Sequence, residues 1–140
     1  MNREILKNML RNHEGLVMHA YQDSLGYWTI GVGRLIDQRK GGGISIAEAM
    51  FMLDNDIKKV EDDLDVHIPW WRTMDETRQL VIADMCFNLG IGNLLDFKNT
   101  LAAMKDGRYD DAAKGMLDSK WAGQVGKRAT HLAEMMRDGK

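Results

Sequence analysis

Residues 16–33 read LVMHAYQDSLGYWTIGVG. Aromatic and β-branched residues are interrupted here by glycine and by the turn-forming run Asp23-Ser24-Leu25-Gly26, a pattern of short strands joined by tight turns. The same character persists through Gly41-Gly42-Gly43 to Ile46, so a small antiparallel sheet lobe is expected over about 14–46. On its N-terminal side, Ile5, Leu6, Met9 and Leu10 are spaced by threes and fours, which makes one apolar stripe of a helix over about 1–13, ending near Glu14-Gly15.

On the C-terminal side, Ser45-Ile46-Ala47-Glu48 spells a capping box: the Ser45 hydroxyl can bond the amide three residues on while Glu48 reaches back to the cap. A long helix over about 45–68 follows, stopped near Pro69, the single proline. Thr73-Met74-Asp75-Glu76 reads as a second capping box. It opens a run through Leu80, Val81, Ile82, Met85 and Phe87 that is apolar nearly all round, the mark of a helix at the centre of a helical lobe. Three shorter helices are expected beyond it, separated at residues 90–93, at Asp106-Gly107 and at residues 123–126. The fold class is α+β within one domain of 1–140: the sheet lobe is joined by the long helix to an all-helical C-terminal lobe over about 70–140, with helix 1–13 in that lobe. A cleft between two lobes suits an extended ligand.

The chain has 140 residues, 44% of them apolar, enough to bury a real core. Its one cysteine, Cys86, has no intramolecular partner and lies in the apolar run 81–87, so a buried thiol and a reducing compartment of synthesis are expected. Residues 1–12 include Arg3, Glu4, Lys7 and Arg11 and lack the continuous apolar region of a signal peptide. No stretch approaches the roughly 20 apolar residues that cross a bilayer, so any substrate outside the membrane calls for a separate permeabilising partner. The net charge of −2 argues against sequence-independent nucleic-acid binding. Residues 54–76 carry three basic and eight acidic side chains, and residues 98–140 nine basic and six acidic; the second region either favours an anionic polymer or is an ordinary solvated helical surface.

Two carboxylates stand out. Glycoside hydrolysis needs a protonated acid for the leaving oxygen and a second carboxylate that activates water or attacks the sugar. Glu14 closes an apolar helix, where the negative end of the macrodipole favours the acid form, and Leu16, Val17 and Met18 follow as a source of desolvation. Asp23 opens a turn, a wetter setting that suits an ionised carboxylate. Thr29 lies six residues beyond Asp23 on the returning strand, where its hydroxyl can hold a water. Each also has an ordinary structural role open to it: surface residue, turn former and strand former. Trp70-Trp71 suits a sugar platform or an aromatic anchor of the helix junction. Trp121 is expected to pack in the C-terminal lobe, and the eleven methionines to fill core gaps. His13, His19, His67 and His131 have no zinc-motif spacing, so no metal is expected.

His13-Glu14-Gly15-Leu16 followed by residues 21–33 resembles the catalytic segment of phage lysozymes of the T-even type. The resemblance continues in order through residues 43–57, 85–90, 97–101, 109–113 and 119–129. It implies a muramidase that cleaves the β-1,4 bond between N-acetylmuramic acid and N-acetylglucosamine with inversion and without metal or cofactor. By that resemblance Glu14 is the general acid, Asp23 activates the attacking water with Thr29 beside it, and Arg128 matches a basic residue that approaches the acid from the opposite lobe. Leu35 and Phe87 match saccharide-contacting positions, and Thr100 falls at a serine position of that set. The partner implied is a peptidoglycan glycan strand. The chain is expected to be a monomer in the host cell cytoplasm that binds neither nucleic acid nor membrane and reaches the cell wall after a holin-type protein permeabilises the membrane.

Four departures accompany the resemblance, one of them a net charge of −2, less basic than expected for an enzyme working on anionic walls. Arg34 stands where a histidine is found, Gly115 replaces a sugar-contacting asparagine, and residues 36–43 form a shorter segment, so a flap-like helix is expected to be missing. Two other readings compete: a lytic transglycosylase, which has no need of a water-activating Asp23–Thr29 pair, and a catalytically silent peptidoglycan-binding module.

Overall fold

The computed structural model describes residues 1–36 and 43–140; most of the shortened segment 36–43, with the expected loss of a flap, lies outside the described residues. The chain divides into two compact units, Met1–Met52 and Leu53–Lys140. The first opens with α1 (Arg3–Glu14), whose Asn2 cap accepts from the amides of Glu4 and Ile5 at 3.0 and 3.1 Å. Glu4 in its first turn and Arg11 in its last complement the macrodipole. At the far end Gly15 takes φ +78° and its amide donates to the Arg11 carbonyl at 2.9 Å. Expected with the helical lobe, α1 instead falls in the same unit as the sheet, which contacts it directly at the Glu14 side chain.

Three strands follow in sequence order as an antiparallel meander: β1 (Val17–Gln22), β2 (Trp28–Gly31) and β3 (Arg34–Leu35). Tyr21 pairs with Thr29 and Gln22 with Trp28, while Thr29 and Ile30 face Leu35 and Arg34 on the other side. The register of β1 shifts between Val17 and Tyr21. The sheet expected from residues 16–33 is therefore present, although β3 has only two residues.

α2 (Ile46–His67) begins at the expected capping box. The Glu48 amide donates to Ser45 Oγ at 3.1 Å and the Ser45 amide to Glu48 Oε1 at 3.0 Å. Its end before Pro69 also matches the expectation, and a 3-10 turn (Pro69–Thr73) follows. The second capping box is displaced: Thr73 Oγ1 donates to the Trp70 carbonyl at 2.6 Å, and Asp75 caps α3 (Glu76–Leu89) by accepting from the Arg78 amide at 3.2 Å. The 3-10 turn occupies Thr73 and moves the helix start two residues along the chain. Five helices follow where three were expected: α4 (Ile91–Leu95), α5 (Lys98–Lys105), α6 (Tyr109–Leu117), α7 (Lys120–Val125) and α8 (Lys127–Asp138). Gly123 lies within α7; the break comes at Gly126, with φ +59°.

α3 supplies the middle of the second unit, with Val81, Ile82, Met85 and Cys86 buried. Around it pack Leu64, Ile68, Leu94, Met104, Met116 and Met136, all 2% exposed or less. Each such side chain contributes about 1.5–3 kcal/mol by leaving water. The burial is one-sided, since Leu80 and Phe87 stay exposed. Trp121 is buried, donates to Asn88 Oδ1 at 2.7 Å and meets Phe97 edge to face. Trp71 is buried and donates to Asp65 Oδ1 at 2.8 Å, so this member of the tryptophan pair is an anchor. Five methionines, Met74, Met85, Met104, Met116 and Met136, fill this core, while Met9, Met18, Met50 and Met52 are exposed. Burial, with Asp63 adding to it, raises the Cys86 thiol above its ordinary range, as befits an inert core residue.

The capping box carries a pH signature. Hydrogen bonds from Ser45, with the Arg34 guanidinium adding to them, hold the Glu48 carboxyl below the usual glutamate range. Its stabilising contribution is complete above about pH 4.3 and is lost as pH falls through the lower folded value. Urea midpoints of the natural chain and of Glu48→Gln should differ at pH 6 and draw together as pH falls into the acid range.

Candidate active site

Glu14 is the last residue of α1, and its carboxyl lies against the backbone of Gly33 in the turn between β2 and β3. A Cβ at Gly33 would sit 2.6 Å from Glu14 Oε2 and 2.8 Å from Cδ, closer than any real side-chain carbon comes. Gly33 has φ +62° and Gly31 φ +69°, so backbone conformation and close approach make the same demand at Gly33. The apolar collar expected from Leu16, Val17 and Met18 does not form, because Leu16 is 51% and Met18 83% exposed. Leu16 precedes β1, and Met18 opens a run of three exposed residues in it, where the register of the strand shifts.

Asp23 follows β1 and organises the turn into β2. Its Oδ1 accepts from the amides of Leu25 at 2.9 Å and Tyr27 at 2.8 Å, and its own amide donates to the Tyr27 carbonyl at 2.8 Å. The Gly26 amide closes the turn on the Asp23 carbonyl at 3.0 Å. Asp23 is thus a turn former, and both amide bonds fall on Oδ1. Thr29, 5% exposed at the centre of the sheet, donates its hydroxyl to the Tyr27 carbonyl at 3.1 Å. With its proton committed, Oγ1 presents lone pairs to any further partner. One sheet therefore positions three features: Asp23 at the end of β1, Thr29 in β2, and the Gly33 backbone on which Glu14 rests.

Leu35, in β3, is 38% exposed. The remaining candidates lie in the second unit. Phe87, 47% exposed, lines an apolar depression of about 350 Å³ with Leu53, Ile57, Leu80, Asp84 and Arg128. Arg128 Nε donates to Asp84 Oδ1 at 2.9 Å and Nη2 lies 2.7 Å from the same oxygen. Asp84 went unnoticed in the sequence because 44 residues separate the two and no local pattern joins them. Thr100 is 6% exposed, and its hydroxyl fills the space beside Gly115: a Cβ there would lie 2.2 Å from Thr100 Oγ1. The methyl gained at 100 and the side chain lost at 115 are therefore neighbours across α5 and α6. Arg34, which stands where a histidine is found, pairs through Nη2 with Glu48 Oε2.

Comparison with known proteins places these residues in context. A family model described as phage lysozyme matches residues 11–137. The chain is 28% identical to the pre-baseplate central spike protein Gp5 of Enterobacteria phage T4, over 96% of its own length but only 28% of that protein. It is 27% and 25% identical to probable T4-type lysozymes 1 and 2 of Dictyostelium discoideum, each over 96% of this chain and 94% of the relative.

Two substitutions test this geometry. Gly33→Ala should cost about 1–2 kcal/mol from the positive φ alone, read by urea denaturation, before any displacement of Glu14 is added. Gly115→Ala, which normally strengthens a helix interior, should destabilise the natural chain and become neutral or stabilising beside Thr100→Ala, a coupling that a double-mutant cycle measures.

Proposed function

Because this chain belongs to the phage lysozyme family, we propose that it hydrolyses the β-1,4 bond between N-acetylmuramic acid and N-acetylglucosamine in bacterial peptidoglycan. The observation that carries this reading is that one small sheet holds Asp23 after β1 and Thr29 in β2, while Glu14 rests on the Gly33 turn of the same sheet. Glu14 acts as general acid, donating its proton to the leaving glycosidic oxygen. Asp23 takes a proton from water, whose oxygen bonds to the anomeric carbon as the glycosidic bond breaks, and attack from the opposite face inverts that centre. Room for the water requires the two carboxyls to stand roughly 6.5–9.5 Å apart during reaction.

Asp23 Oδ1 is taken up by the turn amides, so Oδ2 is the oxygen assigned to the water. Thr29 Oγ1, its proton donated to the Tyr27 carbonyl, accepts the second hydrogen of that water. Leu35 and Phe87 offer exposed apolar surface to the sugar rings, and Arg128, oriented by Asp84, is the supporting cation. Thr100 is given a packing role against Gly115 in this reading, in place of a saccharide contact. The partner is the wall glycan; a monomer in the host cytoplasm, admitted to the wall by a separate holin-type protein, completes the proposal.

Glu14→Gln should lower clearing of outer-membrane-stripped bacterial walls by about 10²–10⁴-fold while far-UV circular dichroism stays unchanged. Mass analysis of the natural protein's fragments should show reducing ends one water heavier than an anhydro sugar. Anhydro-muramyl ends would mean a lytic transglycosylase, and wall binding without clearing would mean a glycan-binding module.

A further inference from the structure

Glu48 divides its carboxylate between two tasks. Oε1 accepts the Ser45 amide and completes the cap of α2, while Oε2 pairs with Nη2 of Arg34. Arg34 directly follows Gly33, the residue against which the Glu14 carboxyl lies, and precedes Leu35. β3 has two residues and two cross-strand pairs, so the ladder alone gives it little hold on the sheet. Beyond it the Ile36 amide donates to the Trp28 carbonyl at 2.8 Å. The side-chain tie to α2 is thus a second anchor for a short strand that carries the support of the proposed acid.

We propose that Arg34 and Glu48 are a positioning pair that holds the Gly33 turn in place against the Glu14 carboxyl. Neither touches the reacting atoms. The pair acts through the backbone of residues 33–35, and it rests on the hydrolase reading above for its catalytic meaning. Arg34 is 62% and Glu48 36% exposed, so solvent screens the attraction and the effect is modest. Arg34→Gln removes the ion pair and leaves the Glu48 cap intact, while a glutamine at position 48 keeps only a neutral capping box, so the two variants together separate the loss of the ion pair from the weakening of the cap.

The experiment compares the natural chain with Arg34→Gln, Arg34→Lys, Glu48→Gln and the double glutamine variant. On solubilised wall fragments Arg34→Gln and Glu48→Gln should each lower kcat by about two- to five-fold with KM unchanged. The double variant should fall no further than the weaker single, and Arg34→Lys, which keeps a cation within reach of Oε2, should retain most of the rate. Independently of turnover, amide exchange at Ile36 should be faster in Glu48→Gln than in the natural chain. Unchanged kcat in both glutamine variants, additive losses, or unchanged Ile36 exchange would each overturn the pair's role. A natural chain that turns over no wall fragment would sink the hydrolase reading, and Ile36 exchange would still decide whether the tie holds the turn.

Discussion

The Asp23 carboxylate, accepting the amides of Leu25 and Tyr27, fixes the turn that sets the register of the first unit. In a sheet whose side chains alternate between faces, a slip of one residue would reverse every side chain of β2. Thr29 would leave its place opposite Tyr21, and the Gly33 turn would no longer meet Glu14. The structural task falls on Oδ1, which leaves Oδ2 free for the chemical role proposed for Asp23.

The second unit depends on a different kind of constraint. Its core is aliphatic and methionine-rich, which tolerates irregular helix packing, and its specificity comes from polar groups pinned at the edges. Trp71 and Trp121 bury their rings only because Asp65 and Asn88 accept their indole protons. Arg78 donates to the Met136 and Arg137 carbonyls at the end of α8 and lies over the Tyr109 ring at 3.6 Å. One largely buried guanidinium therefore joins the start of α3, the start of α6 and the end of α8.

Much of this was legible in the chain itself. Local chemistry announces the sheet through Asp23-Ser24-Leu25-Gly26, the first capping box through Ser45 and Glu48, and the end of α2 through Pro69. Thr73 misled because its spelling fits a cap, whereas its hydroxyl is spent on the carbonyl of a 3-10 turn that no spacing rule foretells. The desolvating role expected of Leu16 and Met18 failed for a similar reason, since apolar identity does not say which way a side chain faces.

By itself, then, the sequence determined most element types and the family, and it singled out the two candidate carboxylates, because turn formers, caps and hydrophobic periods act over a few residues. Contacts distant in the chain were decided only by tertiary structure. Gly33 against Glu14, Thr100 against Gly115, Arg34 on Glu48 and Asp84 on Arg128 join residues 14 to 44 positions apart. No local pattern encodes such pairs; they exist because packed strands and helices bring particular backbone positions within a few ångströms, where one added carbon or one missing charge changes what fits.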